Sequence, residues 1–287
     1  MKKNNISFWL FVGPVLIAFS LVVLVPLIFG IYYSFTDWNG IKSNVNLIGF
    51  DNYIKAFKDE SFMKSFLFTV KFTVVSVIVL NALGFGLAML VTREMKMSNF
   101  LRTVFFMPNL IGGLILGFIW QFIFKEVFAG IGNAMGQSWL LGWLSDGTTG
   151  FIGLVILMSW QMAGYLMVIY IAAIQNIPQD LIEASKIDGA KPFERMRHIV
   201  LPLVRPAITI SIFLTLSNSF KLYDQNLSLT GGGPANATQM MAMNIYNSAF
   251  KFNQMGVAQA KAFILFLIVG IITLTQVYFS KKGEVEA

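Results

Sequence analysis

The chain has 287 residues, 56% hydrophobic and 12% charged, a balance far outside that of soluble domains. It has no cysteine and a single histidine, His198, which excludes disulfide frameworks, thiolate metal sites and most zinc or Ser-His-Asp chemistry. The net charge of +7 is read by its placement between apolar runs, as a signal of membrane topology and not as a nucleic-acid footprint.

Met1-Lys2-Lys3 ahead of an apolar run resembles a signal peptide. The run from Asn4 to Thr36 has no charge and no small-residue cleavage site, so a retained first span is predicted there. A helix needs about 20 apolar residues to cross the hydrocarbon core, which places spans at roughly 9–31, 68–92, 103–124, 150–173 and 261–280. A shorter span, at roughly 204–222, carries Thr209, Ser211, Thr215, Ser217 and Asn218. The segment 127–145 is uncharged but broken by Gly130, Gly132 and Gly136, and reads as an external loop or interfacial helix. The segment 225–250, with Gly231-Gly232-Gly233-Pro234, reads as a loop. The predicted fold class is all-α: a polytopic membrane protein with six transmembrane helices. It divides into an N-terminal span with its external loop (1–65) and a five-helix core (66–282) that includes a charged cytoplasmic loop at 176–205.

With both ends cytoplasmic, the inner segments hold twelve basic residues, including all five arginines, against seven lysines outside. Lys71 and Lys261 lie within or near span ends and are read as snorkelling to the outer interface. No predicted span contains an Asp or Glu, which argues against a proton- or sodium-coupled carrier.

The stretch Glu183 to Pro206 is a charged island between apolar runs. Pro178 suits the first turn of a helix, with Asn176 as its N-cap, and Leu181, Ala184 and Ile187 form a narrow apolar stripe. Gly189 permits a turn, Pro192 begins a second helix, and Leu201-Pro202 with Pro206 end it before the next span. The product is an elbow at the membrane face, whose alternative reading is an ordinary interfacial loop held by lipid headgroups.

The spacing Glu183-Ala184-Ser185, Gly189, Ile199, Leu201-Pro202 resembles the EAA loop of ATP-binding-cassette (ABC) importer permeases, with Ser185 in place of the second alanine as the one departure. The resemblance implies a type I permease fold and a coupling helix seated in a cleft of a cytoplasmic ATPase dimer, with Glu183, Asp188 and Gly189 among its contacts. "EASKIDGA", "SFTDW", "GFDNYIKAF", "LRTVFFMPN" and "LTGGGP" are similar to the carbohydrate branch, the maltose-transporter first-permease type. That implies a second homologous permease, an extracytoplasmic sugar-binding protein facing Thr230, Gly231, Gly232, Gly233 and Pro234, and a bacterial cell membrane. It implies no cofactor, metal or catalytic residue, and no Walker motif for ATP hydrolysis is present.

By the same resemblance sugar contacts come from the fourth and fifth spans. Trp160, Gln161 and Tyr165 on the fourth, with Thr215, Asn218 and Lys221 on the fifth, supply the aromatic faces and polar groups that sugars need. For each, interhelical packing or hydrogen bonding is the competing role, and Lys221 is read as pairing with Asp224. The alternatives are import of glycerol phosphodiesters or another small polar solute, a stand-alone secondary carrier and, more remotely, a membrane enzyme.

Overall fold

The computed structural model describes residues 4–42, 44–93 and 96–282; Lys2 and Lys3 of the topology argument lie outside them. Six helices are long and apolar enough to cross a membrane: Phe8–Ser34, Glu60–Val91, Gly113–Met135, Gly147–Gln175, Pro192–Phe220 and Met255–Ser280. Among the described residues the only β feature is an isolated bridge between Thr36 and Leu47.

Several expectations are corrected. The third span is a broken helix. Ser98–Phe106 is helical, Met107–Leu110 forms a 3-10 turn, and a new helix starts at Gly113. Pro108 and the Gly112-Gly113 pair interrupt the ladder within an uninterrupted apolar run, so hydropathy alone counted across the break. The helix that begins at Gly113 then runs through Lys125 and Glu126 to Met135, into the segment read as an external loop or interfacial helix. The fifth span is also longer than expected. Pro202 and Pro206 do not end the preceding helix; it runs without interruption from Pro192 to Phe220. A π-helical turn at Met196–Val200 accommodates the missing N–H of Pro202 and keeps the axis going. Finally, Asn176 ends the fourth span and caps nothing downstream; Pro178 itself is the N-cap of the helix Gln179–Ile187.

The chain forms two compact units. In the first, Met1–Phe62 with Asn244–Leu267, the loop after the first span is tied down by Asn52. Its side-chain nitrogen donates to the carbonyls of Ser34 (2.9 Å) and Thr36 (2.7 Å). Lys261, read as snorkelling, is instead buried. Its ammonium donates to Asp59 (2.6 Å), Asn244 (2.9 Å) and Ser248 (2.8 Å), so three acceptors replace water.

In the second unit, Met63–Met243 with Ile268–Ala287, the fourth span is the central helix. It starts at Asp146, whose carboxylate accepts from the N–H groups of Thr148 (2.6 Å) and Thr149 (2.9 Å). Those bonds, Thr149 foremost, hold the Asp146 carboxyl below its ordinary value. The span is apolar on all sides, as a helix must be when neighbours surround it. Leu154, Leu157, Met158 and Leu166 pack with Phe72 and Leu80 of the second span, Leu116 and Phe124 of the third and Val204 of the fifth. A polar link crosses this core: Tyr170 donates to Asn81 (2.7 Å), and Asn81 donates to Thr215 (3.4 Å). Without water at that depth, such bonds tie helix to helix.

Candidate functional site

The island forms two helices around a tight elbow. The first, Gln179–Ile187, closes with a Schellman motif: Ala190 N–H donates to Ser185 (2.9 Å) and Gly189 N–H to Lys186 (3.1 Å). Gly189 sits at φ +79°, where a side chain would be strained. The Arg195 guanidinium then donates to the Ala190 carbonyl (2.6 Å), and the Glu194 carboxylate accepts from the Lys191 N–H (2.7 Å), fixing the start of the second helix.

The elbow sorts the candidate coupling residues into two sets. Glu183, Ala184, Asp188 and Gly189 are exposed. Ser185 is buried, and its hydroxyl bonds to the Ile182 carbonyl (2.7 Å), which explains why a small residue with an internal bond suffices there. Ile199, Leu201 and Pro202 are half-buried at the root of the fifth span. Two large apolar side chains stand in water on the elbow: Ile187, 87% exposed, and Phe193, 74% exposed. Both lie among exposed charged residues of the elbow, Glu183, Lys186, Asp188 and Glu194. Phe193 was missed because one residue after a proline has no periodicity to reveal its face. His198 matches no catalytic constellation; its Nδ1 lies 3.0 Å from the Glu194 carbonyl.

A polar cavity of about 330 Å³ lies between the fourth and fifth spans. It brings together Gln161, Tyr165, Asn218 and Lys221 of the candidate sugar contacts and adds Asn109 and Gln225. The amide of Gln161 is the hinge of the site. Its nitrogen donates to the Ile111 carbonyl (3.1 Å), one of the backbone groups freed by the helix break. Its oxygen accepts from the Gln225 amide (2.8 Å). Irregular backbone at membrane depth is stable only where protein or a cavity satisfies it, and here both do. The short helix Asp224–Leu229 that carries Gln225 is held by Gln121, whose amide donates to the carbonyls of Ser228 (3.1 Å) and Leu229 (2.8 Å).

Trp160 and Thr215 do not join this cavity. Trp160 lines a separate apolar cavity of about 480 Å³ with Leu83, Phe105 and Met107, and its ring meets Trp120 edge-on at 5.8 Å. Thr215 is fully buried in the link to Asn81. Among the described residues no ion pair joins Lys221 to Asp224, so Lys221 stands exposed at the cavity. Asn109 was hidden in an apolar run; its signal is the Pro108-Asn109 pair followed by two glycines.

Just before the break the chain meets the fourth span backbone to backbone. A Cβ at Gly164 would overlap the Phe105 carbonyl, so the two backbones touch there. Gly164→Ala is expected to push the broken helix outward and to cost about 1–3 kcal/mol of stability, the usual effect of overpacking. The check is a lower thermal midpoint in detergent together with reduced surface accumulation.

The Thr230–Pro234 loop is not a loose tether. Asn226, fully buried, donates to the Thr238 carbonyl (2.8 Å) and accepts from the Met240 N–H (3.1 Å), while Thr238 donates to the Gly233 carbonyl (2.7 Å). Gly232 is buried, whereas Gly231 and Pro234 are exposed on a hydrogen-bonded scaffold.

Comparison with known proteins adds the following. The model of the family described as binding-protein-dependent transport system inner membrane component matches residues 81–283. A probable starch degradation products transport system permease of Thermoanaerobacterium thermosulfurigenes is 57% identical, over 99% of this chain and 97% of its own length. A multiple sugar-binding transport system permease of Streptococcus mutans is 33% identical, over 96% of each. Among solved structures, a bacterial ABC transporter involved in importing the acidic polysaccharide alginate matches at a TM-score of 0.83 and 19% identity, covering 98% of this chain and 96% of that one.

Proposed function

The chain belongs to the binding-protein-dependent transport system inner membrane components, and on that premise we propose that it is the permease subunit of an ATP-driven sugar importer, forming half of the translocation pore. It is a multi-pass membrane protein and a transport component, not an enzyme. The observation that carries the sugar reading is the 57% identity, over 99% of this chain, to a permease for starch degradation products. At that similarity over the whole length, the pore helices and their lining are expected to be shared.

In this reading the termini are cytoplasmic, in a bacterial inner membrane, and a second homologous permease completes the pore. A cytoplasmic ATPase dimer takes the elbow at Glu183–Gly189 into a cleft, with Ile187 and Phe193 as apolar anchors. Closure of the dimer pulls on the root of the fifth span. That span runs unbroken to Phe220 and carries Asn218 at the polar cavity, so a displacement at the elbow reaches the cargo without a flexible joint between. On the other side of the membrane a sugar-binding protein delivers its cargo against the exposed edge of the Thr230–Pro234 loop. Asn109, Gln161, Tyr165, Asn218 and Gln225 would hold the sugar, because amides and a phenol both donate and accept and so match hydroxyl groups.

Exposed Lys221 at the cavity favours the second reading, an anionic cargo such as a glycerol phosphodiester. One experiment separates the two. The chain is reconstituted in liposomes with its partner permease, ATPase and binding protein, and labelled maltotriose uptake is measured with and without ATP. ATP-dependent uptake resisted by excess neutral maltodextrin but not by a glycerol phosphodiester supports the sugar reading; the reverse pattern overturns it. In the same assay Asn218→Ala, which removes one hydrogen-bonding group worth about 1 kcal/mol, should raise the half-saturating concentration roughly fivefold and leave assembly intact.

A further inference from the structure

The first unit holds a cleft of about 460 Å³ that the proposed function has not used. It lies where the first span ends at Ser34 and the second and sixth begin at Glu60 and Met255. Its wall carries the polar side chains Asp37, Asn39, Asn52, Lys55 and Gln254 between apolar surface, and one aromatic side chain, Trp38. The frame is rigid. Asn52 is 3% exposed and uses its side-chain N–H groups on the Ser34 and Thr36 carbonyls. Gly256 N–H donates to the Trp38 carbonyl (2.8 Å), and the Tyr33 ring stacks on Trp38 with centroids 4.2 Å apart.

The charges in the cleft narrow what it can take. Each of its two carboxylates already has a lysine: Asp37 pairs with Lys42, and Asp59 with Lys261. The Lys42 ammonium and the Asn46 N–H hold the Asp37 carboxyl down to about 2, so it remains an acceptor at any physiological pH. A cationic peptide would find both carboxylates committed. What remains is the amide nitrogen of Asn39, whose oxygen already accepts from the Ile41 and Lys42 N–H groups, the side-chain amides of Asn253 and Gln254, the spare lone pairs of the carboxylates, the Lys55 ammonium and an indole plate. Among the described residues Lys55 forms no ion pair. Mixed donors and acceptors around one aromatic surface suit a ring with hydroxyls on its rim and C–H groups on its face. The volume falls within the roughly 300–1,000 Å³ of small-molecule sites.

We propose that this cleft is an outer carbohydrate subsite, which holds a neutral oligosaccharide on the side of the membrane where the first span ends. The proposal rests on the sugar-import reading and extends it: residues of the first unit take hold of the sugar as well as those of the polar cavity.

The test uses the assembled transporter in nanodiscs without its binding protein, with maltotriose as the probe and saturation-transfer NMR as the readout. Maltotriose should give a saturation-transfer signal with the unaltered complex. Trp38→Ala should weaken that binding at least tenfold. Because Trp38 also packs on Tyr33, Gln254→Ala and Lys55→Ala serve as companions; both side chains are exposed, and each variant should weaken binding severalfold with unchanged thermal stability. Unaltered affinity in Gln254→Ala and Lys55→Ala overturns the outer subsite. ATP-driven maltotriose uptake by the unaltered complex with its binding protein is measured in parallel. Uptake without cleft binding removes only the subsite, whereas no uptake removes the sugar reading and the subsite with it.

Discussion

Gly189→Pro is expected to leave the chain inserted and assembled and to reduce ATP-driven uptake to background. Gly189 holds φ +79° and its N–H donates to the Lys186 carbonyl. Proline fixes φ near −65° and has no N–H, so the elbow cannot form in its present shape. The helix Gln179–Ile187 would then leave the membrane face at another angle, and Ile187 and Phe193 would no longer present one surface to the ATPase. The effect should be graded. Gly189→Ala, which costs about 1–2 kcal/mol for a side chain in the left-handed region, should retain part of the uptake. Glu183→Lys should behave like the proline variant, since it reverses an exposed charge at the proposed contact without touching the elbow. The measurement pairs uptake with ATP hydrolysis in the same vesicles. Hydrolysis that continues while uptake is lost identifies uncoupling; normal uptake in Gly189→Pro would remove the elbow from the coupling path.

The second large effect is expected at Lys261, and its direction is unusual. The Lys261 side chain is 3% exposed, whereas Asp59, its counter-charge, is 34% exposed. Burial pushes the Asp59 carboxyl up, but the Lys261 ammonium and the N–H groups of Phe62 and Ser61 together hold it below its ordinary value. Asp59→Asn preserves the size of the side chain but strands a buried ammonium with neutral acceptors, and should cost about 3–5 kcal/mol. Lys261→Met leaves a carboxylate that water reaches, with Asn244 and Ser248 each short of one partner, and should cost less, about 1–3 kcal/mol. The double variant should be more stable than Asp59→Asn alone, because the stranded charge is gone. Thermal unfolding in detergent ranks the three, and a lower midpoint for Lys261→Met than for Asp59→Asn would contradict this account. Because the Asp59 value is depressed, its contribution is complete above the ordinary carboxylate range of about 4 and is lost as the pH falls through the lowered value.

Six spans and the elbow were legible in the sequence because both are local signals. Apolar length is set by the bilayer, and a glycine between a charged helix and Pro192 marks a turn wherever it stands. The likeness of Glu183–Pro202 and of the shorter stretches to importer permeases was likewise carried by residues close together in the chain. The polar cavity was half legible. Gln161 and Tyr165, at i and i+4 on the fourth span, share the face that lines it.

What the sequence by itself determined is therefore the class of molecule, the number of crossings and the position of the elbow before the fifth span. The tertiary structure alone decided which face of each crossing does what. The fourth span is apolar all round, so no pattern tells that Trp160 turns towards Leu83 and Phe105 while its neighbour Gln161 turns towards Gln225. Thr215 and Asn218 are three residues apart, yet one is sealed against Asn81 and the other faces the cavity. Hydropathy could not register the break at 107–112, because its carbonyl at Ile111 is satisfied by an amide 50 residues away in sequence. Nor could it distinguish a buried Lys261 from a snorkelling one, since its three acceptors come from other parts of the chain. In a membrane the backbone polar groups within the hydrocarbon must find partners, and where a helix breaks those partners are chosen by packing between helices, which no single stretch of sequence contains.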